Sequence, residues 1–319
     1  MTVHLVTVGL SLPNNLRRWL RSEAERTGKH GPAARTSGGI DLVPVGDTGV
    51  HDFLRAALTS GTPESELLRA ATAEFGVHHW PSSISAELTT LARHADEKSA
   101  KLPEKVRAGA DDIVVLIASD TPGALRVALW DAIALTDGDL SRVRYLHEPD
   151  EVYEEARGQV LIARLPGMDV GNSQGFRTAM RHLGTLGRHL IDVLAGREQD
   201  YVFHLTGGYK AAGFYLLGIA QGMRGLTRVE TGGQREVGSV RAVVIHESSD
   251  GYIDIPVRRL DPEVVDAELR YAGADGVYVR NPPRPRQLDG YAYQAEHERE
   301  WRTTPFGEGL RTLMQIPEA

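Results

Sequence analysis

A chain of 319 residues with 41% hydrophobic and 25% charged residues has the balance of a folded globular protein and excludes wholesale disorder. It contains no cysteine, which removes disulfide frameworks, thiolate metal sites and cysteine nucleophiles together and fits a reducing, cytoplasmic setting. The formal net charge of −7 argues against charge-driven binding to long nucleic acid, yet leaves room for a small anion in one local pocket.

Met1 to Ser11 carries no basic region and only a short apolar run, so a first strand over His4–Val8 is predicted rather than a signal peptide. A helix over Asn14–Thr27 follows, and a polar, glycine-rich loop from Gly28 to Gly39 leads to a second strand near Ile40–Val45. Helical spacing covers Pro63–Phe75 and Ile84–His94. Ile113–Ala118 is wholly apolar, the pattern of a strand buried on both faces of a parallel sheet. Next come a helix at Pro122–Leu135, strands at Val143–Leu146 and Val160–Leu165, and a long helix at Ser173–Ala195. A strand at Tyr201–Leu205 and a helix at Ala211–Met223 precede two last strands, Val240–His246 and Gly251–Pro256. Nowhere does the chain reach the roughly 18–20 apolar residues of a membrane span, so no membrane partner is expected.

Alternating strands and helices predict an α/β fold, a Rossmann-like, mostly parallel sheet with helices on both faces. Such sheets bind ligands beyond the carboxyl ends of their strands, near a topological switch point. The loops after His4–Val8, Ile113–Ala118 and Tyr201–Leu205 are therefore the places to look. Residues 1–260 are expected to form this domain and 261–319 an extension. In the extension, Asn281–Arg286 holds three prolines and is predicted to be extended and polyproline-like. Tyr293–Trp301 has helical composition, and Thr304-Pro305-Phe306 opens a short helix to Met314. An extension of roughly 60 residues is marginal as an independent core, so it should pack on the main domain or on a second subunit.

The strongest local signal is Leu205-Thr206-Gly207-Gly208-Tyr209-Lys210, between a strand and an apolar helix. Two glycines let the backbone approach a ligand, and the helix that follows offers free N–H groups and a positive dipole end. Thr206 can donate a hydroxyl, and Lys210 is a flexible cation suited to phosphate. A tight turn with a solvated lysine reads equally well. The spacing is not that of a Walker A loop. The second signal is Thr7-Val8-Gly9-Leu10-Ser11-Leu12-Pro13-Asn14-Asn15. Its small polar groups can hydrogen-bond a nucleotide, though Asn14 or Asn15 capping the next helix is the commoner role. Pro13 stands where a nucleophile elbow needs its second glycine, which weakens a serine-hydrolase reading.

Taken in order, Thr7-Val8-Gly9-Leu10-Ser11-Leu12, Ser85-Ala86-Glu87-Leu88, Ser119-Asp120-Thr121-Pro122-Gly123, the Thr206-Gly207-Gly208-Tyr209-Lys210 loop and Val244-Ile245-His246-Glu247 with Ile253-Asp254-Ile255-Pro256 resemble the CRISPR-associated Rossmann-fold (CARF) family. The resemblance is to its branch of ring nucleases and cyclic oligoadenylate sensors, and it spans about residues 1–260. It implies a homodimer that binds a cyclic oligoadenylate, usually the tetra-adenylate, across its two-fold axis, with no cofactor and no metal. It further implies slow cleavage supported by a serine and a lysine at positions that correspond here to Ser11 and Lys210. Ligand contacts are implied at Thr7, Gly9, Leu10, Asn14, Glu87, Ser119, Asp120, Thr121, Thr206, Gly207, Gly208 and Tyr209. Leu10, Pro13 and Tyr209 depart from the family pattern, so binding is better supported than catalysis. The alternatives are a sensor that acts through its extension without cleaving, and an effector nuclease, for which the extension looks too short.

Other signals have plainer readings. Arg142 with His147 and Arg177 with His182 match the Arg-x4-His spacing of helical RNase domains, but fall inside the sensor fold and are assigned to solvated faces. His78-His79, with Trp80, is read as strand packing rather than metal binding. Phe214, Tyr215, Leu216 and Leu217 read first as helix packing, and Glu87 equally as a carboxylate at a helix N-terminus.

Overall fold

The computed structural model describes residues 1–27, 49–94, 112–151, 158–168, 173–194, 199–207, 210–227, 238–245, 251–297 and 300–319. β1 (Thr2–Thr7), β2 (Ile113–Ser119), β3 (Val143–Leu146), β4 (Val160–Leu165), β5 (Asp200–His204), β6 (Val240–Ile245) and β7 (Tyr252–Ile255) form one sheet in the order β3-β4-β2-β1-β5-β6-β7. All neighbours are parallel except β6 and β7, which pair antiparallel. The strand predicted near Ile40–Val45 and the loop Gly28–Gly39 lie outside the described residues.

The alternation of side chains along each strand divides the core in two. Val6, Val114, Leu116, Ala118 and Ile162 face α1 (Leu12–Thr27), α2 (Val50–Ala57), α3 (Pro63–Phe75), α4 (Ala86–His94) and α5 (Pro122–Leu135). Val3, Leu5, Ile113, Val115, Leu161 and Phe203 face α6 (Ser173–Val193) and α7 (Lys210–Leu226). The apolar run of β2 is buried on both faces because helices cover both. The fold is α/β and Rossmann-like, as the alternation of elements predicts.

Four helices begin alike. Thr62, Thr121, Asp261 and Thr304 each cap a helix whose first turn carries proline, so a side-chain oxygen takes an orphan N–H while proline forfeits one. The last two open α8 (Pro262–Leu269) and α9 (Pro305–Leu313) in the extension. The extension completes the second core, where Val265, Leu269, Phe306, Leu310 and Leu313 pack with Met180, Leu183 and Ile219. α9 approaches closely because glycines line the seam: a Cβ on Gly218 would stand 1.9 Å from the Phe306 ring, and one on Gly184 would stand 2.3 Å from the Gly309 oxygen.

Two readings of the extension are corrected. Tyr293–Trp301 is not helical: β8 (Tyr293–His297) and β9 (Glu300–Thr303) pair as an antiparallel hairpin. Its helix-forming composition is overridden by packing, with Tyr293 buried and its ring edge-on to Trp301 at 5.6 Å. The proline-rich segment is not an extended polyproline run, since Arg284 and Pro285 form a turn. The buried Glu268 carboxylate holds the chain beyond it, accepting from the N–H groups of Gln287 at 2.7 Å and Leu288 at 2.9 Å and from the Tyr293 hydroxyl.

Candidate functional site

From β1 the chain goes to β2 on one side, then to β3 and β4, and returns to β5 on the other side of β1. The switch point therefore lies between β1 and β5, and its crevice is walled by the loops that leave their carboxyl ends. These are the two loops with the strongest sequence signals.

Four candidates meet there. The Thr7 hydroxyl, fully buried, donates to the Gly207 carbonyl oxygen at 2.5 Å. The Gly9 N–H donates to Glu87 Oε1 at 2.6 Å. A Cβ on Gly207 would stand 2.5 Å from the Thr7 carbonyl oxygen and 2.6 Å from Glu87 Oε1, so only glycine fits against both partners. Glu87 is a fully buried carboxylate in the first turn of α4, the helix N-terminal role read for it, and it accepts the Gly9 N–H from beneath the two loops.

Ser11 is tied to the same floor, because the Ala86 N–H at the start of α4 donates to its hydroxyl oxygen at 3.4 Å. Ser85 caps α4, accepting from the Leu88 N–H at 3.0 Å. α1 begins at Leu12, ahead of the asparagines, so Asn14 is an exposed residue of its first turn rather than the cap. Leu10 is 63% exposed on the rim.

The remaining candidates divide. The Thr206 hydroxyl accepts the Ile245 N–H at 2.8 Å and so binds its loop to β6. Thr121 caps α5, and the Ser119 hydroxyl lies 3.0 Å from it. Asp120 is drawn toward β4 by Arg164, 3.7 Å away. Gly208 and Tyr209 lie outside the described residues, as does the side chain of Lys210, whose backbone starts α7.

Sequence reasoning missed Asp131, a fully buried residue of α5. Burial pushes its carboxyl well above the usual range, the neighbouring Glu87 carboxylate pushes it further, and the Ser85 hydroxyl opposes both. A lone aspartate inside the otherwise apolar stretch Val127–Leu135 was the available signal. Also missed was a histidine group under α4. His4 and His204 meet at 3.0 Å, Thr90 bonds the other nitrogen of His204 at 3.1 Å, and His94 stacks edge-on to both rings. Burial, then the neighbouring His4 and His94, hold His204 well below the ordinary imidazole range.

The Arg-x4-His pairs are structural rather than solvated. Arg142 donates to the Gly158 oxygen at 2.8 Å, and Arg177 bonds Thr303 and the buried Glu308. His147 belongs to a network at the ends of β3 and β4 with His51, Tyr145, Glu148 and Arg164. His78 and His79 form a 3-10 turn, not a strand, and His78 stands 3.6 Å from Asp137. Among the described residues, no group of three or more histidines and carboxylates is arranged to hold a metal ion, and no helix is long and apolar enough to cross a membrane. Of the run 214–217, Leu216 is buried but Phe214 is 78% exposed, which corrects its assignment to helix packing.

No family model matches the sequence, and no curated protein is similar to it.

Proposed function

We propose that this chain binds a cyclic oligoadenylate, in the first instance cyclic tetra-adenylate, at the β1–β5 crevice, and cleaves it slowly as a ring nuclease of type III CRISPR antiviral signalling. One observation carries the reading: the loop after β1 and the Thr-Gly-Gly loop, distant in sequence, are bonded to each other and to Glu87 at the switch point. The α7 N-terminus with Lys210 favours a phosphate's charge. The five ordered motifs narrow the ligand from nucleotides in general to this ring.

Cleavage of a 3′–5′ linkage needs the ribose 2′-hydroxyl in line with the leaving 5′-oxygen, and a donor or cation for the charge that develops on phosphorus. Lys210 and backbone N–H groups supply the charge, while Ser11 orients ribose or phosphate. The 2′-oxygen attacks phosphorus, the bond to the 5′-oxygen breaks, and the products are a 2′,3′-cyclic phosphate and a 5′-hydroxyl. A four-fold ring presents two equivalent halves, so a homodimer places matching loops around it.

The test is incubation of the purified protein with cyclic tetra-adenylate in excess EDTA, with products identified by mass spectrometry. Linear products with 2′,3′-cyclic phosphate ends are expected. Tight binding without products would leave a sensor. Recovery only with Mg²⁺ would overturn the mechanism, and absence of binding would overturn the reading.

A further inference from the structure

One stripe of α4 is polar along its whole length. Glu87, Thr90 and His94 follow one another at spacings of three and four residues and so share a helix face. Glu87 and Thr90 are fully buried. Glu87 accepts the Gly9 N–H at 2.6 Å, and Thr90 bonds His204 Nδ1 at 3.1 Å. His94 lays its ring edge-on against both His4 and His204. A single short helix therefore holds the loop after β1 with its first turn and a histidine group with its last.

The histidine group is closed on itself. Its three ring centroids lie 5.3, 5.2 and 5.4 Å apart, and His4 Nδ1 meets His204 Nε2 at 3.0 Å. That bond needs one N–H and one lone pair, so it does not survive protonation of both rings. The other described groups that face the three rings offer a second cation little relief. Asp112 stands 3.8 Å from His4 Nε2. Tyr252 of β7 packs on His94 at 5.4 Å, and Arg241, paired with Asp254, lies 5.5 Å from the Tyr252 ring. Burial, then His4 and His94, hold His204 well below the ordinary imidazole range.

His4 and His204 cannot retreat, because β1 and β5 are neighbours inside the sheet and each is hydrogen-bonded on both sides. α4 completes its backbone bonds within itself and meets the sheet through side chains, so it is the element able to yield. We infer that α4 is an acid-sensitive latch on the β1–β5 crevice: protonation of the histidine group lifts the last turn of α4 from the sheet, and Glu87, carried by the same helix, releases the Gly9 N–H. Which ligand the crevice takes does not enter. The latch is closed above the ordinary imidazole value of 6.5 and opens as pH falls below it, because opened rings bind protons that the closed group refuses.

Amide hydrogen exchange, followed by NMR on the isotope-labelled full chain between pH 7 and pH 5, tests this once rates are corrected for the intrinsic effect of pH. Protection of the Gly9 and α4 amides should fall about 10- to 30-fold over that range, as one proton linked to opening requires. Val114–Ile117 of β2 should keep its protection. In H204Q and in H94Q the fall at Gly9 should shrink to about threefold or less, since each removes a ring from the group. His94 is only partly buried, so H94Q decides the matter should H204Q fail to fold. Constant protection of Gly9 in the wild type would overturn the inference, as would a full fall retained in H94Q. Equal loss in β2 would overturn it too, because acid would then unfold the protein rather than lift α4.

Discussion

Thr7 donates its hydroxyl to the Gly207 carbonyl oxygen at 2.5 Å although 200 residues separate them. The bond fixes the width of the crevice between β1 and β5, because Thr7 is buried at a strand end and Gly207 is wedged against Glu87. Under the proposed function a ligand would meet two walls already joined, and little ordering would be required on binding.

Gly207→Ala should therefore harm both stability and binding. Its Cβ would lie 2.5 Å from the Thr7 oxygen and 2.6 Å from Glu87 Oε1, and the loop must move. Overpacking of this kind costs about 1–3 kcal/mol. Urea unfolding should report a loss in that range, with at least tenfold weaker binding of cyclic tetra-adenylate. Unchanged affinity would place the ligand elsewhere.

Lys210 and Ser11 should separate binding from cleavage. A charge-assisted contact to phosphate is worth about 1.5–3 kcal/mol, so Lys210→Ala should weaken binding at least tenfold. Ser11→Ala should bind within a few-fold of wild type and form product more slowly. Calorimetry and product analysis on the same preparations decide it, and equal effects of both changes on affinity would count against divided roles.

Asp131 makes stability depend on pH in an unusual direction. Its folded carboxyl is raised above the ordinary 3.8, so the native state holds a proton that the unfolded state releases. Stability is thus lost as pH rises above that value, and Asp131→Asn removes the loss. Denaturant midpoints at pH 5 and pH 8 should place D131N above wild type at pH 8, with a smaller gap at pH 5. A gap that does not grow with pH would mean that Asp131 is ionised in the fold.

His204 acts in the opposite sense. Its folded value is depressed below the ordinary 6.5, so the unfolded state gains the proton first on acidification. Its contribution is fully present above about 6.5 and is lost as pH falls from there. His204→Gln should flatten the acid limb of the stability profile between pH 6.5 and 5, read by thermal unfolding. An acid limb identical to wild type would assign that loss to other groups.

Much of the fold was legible because strand burial and helix caps are local signals. Ile113–Ser119 had to be a central strand, and Thr62-Pro63, Thr121-Pro122 and Thr304-Pro305 announce helix starts. Asp261-Pro262 carries the same signature and was not read, so α8 went unseen. The hairpin of β8 and β9 was beyond local reading, since Gln294, Ala295 and Glu296 favour a helix and only pairing with Glu300–Thr303 decides otherwise. Motif order pointed to Glu87 and the two loops, which the structure brings into contact, whereas Asp131 and His204 matter only through what surrounds them in space.

The Phe306 ring on Gly218 has a mechanical consequence. α7 begins at the crevice and, two turns further on, is clamped by a helix from the far end of the chain. If the proposed ligand shifted the α7 start, the Gly218–Phe306 contact two turns on is where that shift would first meet α9, the last helix of the extension.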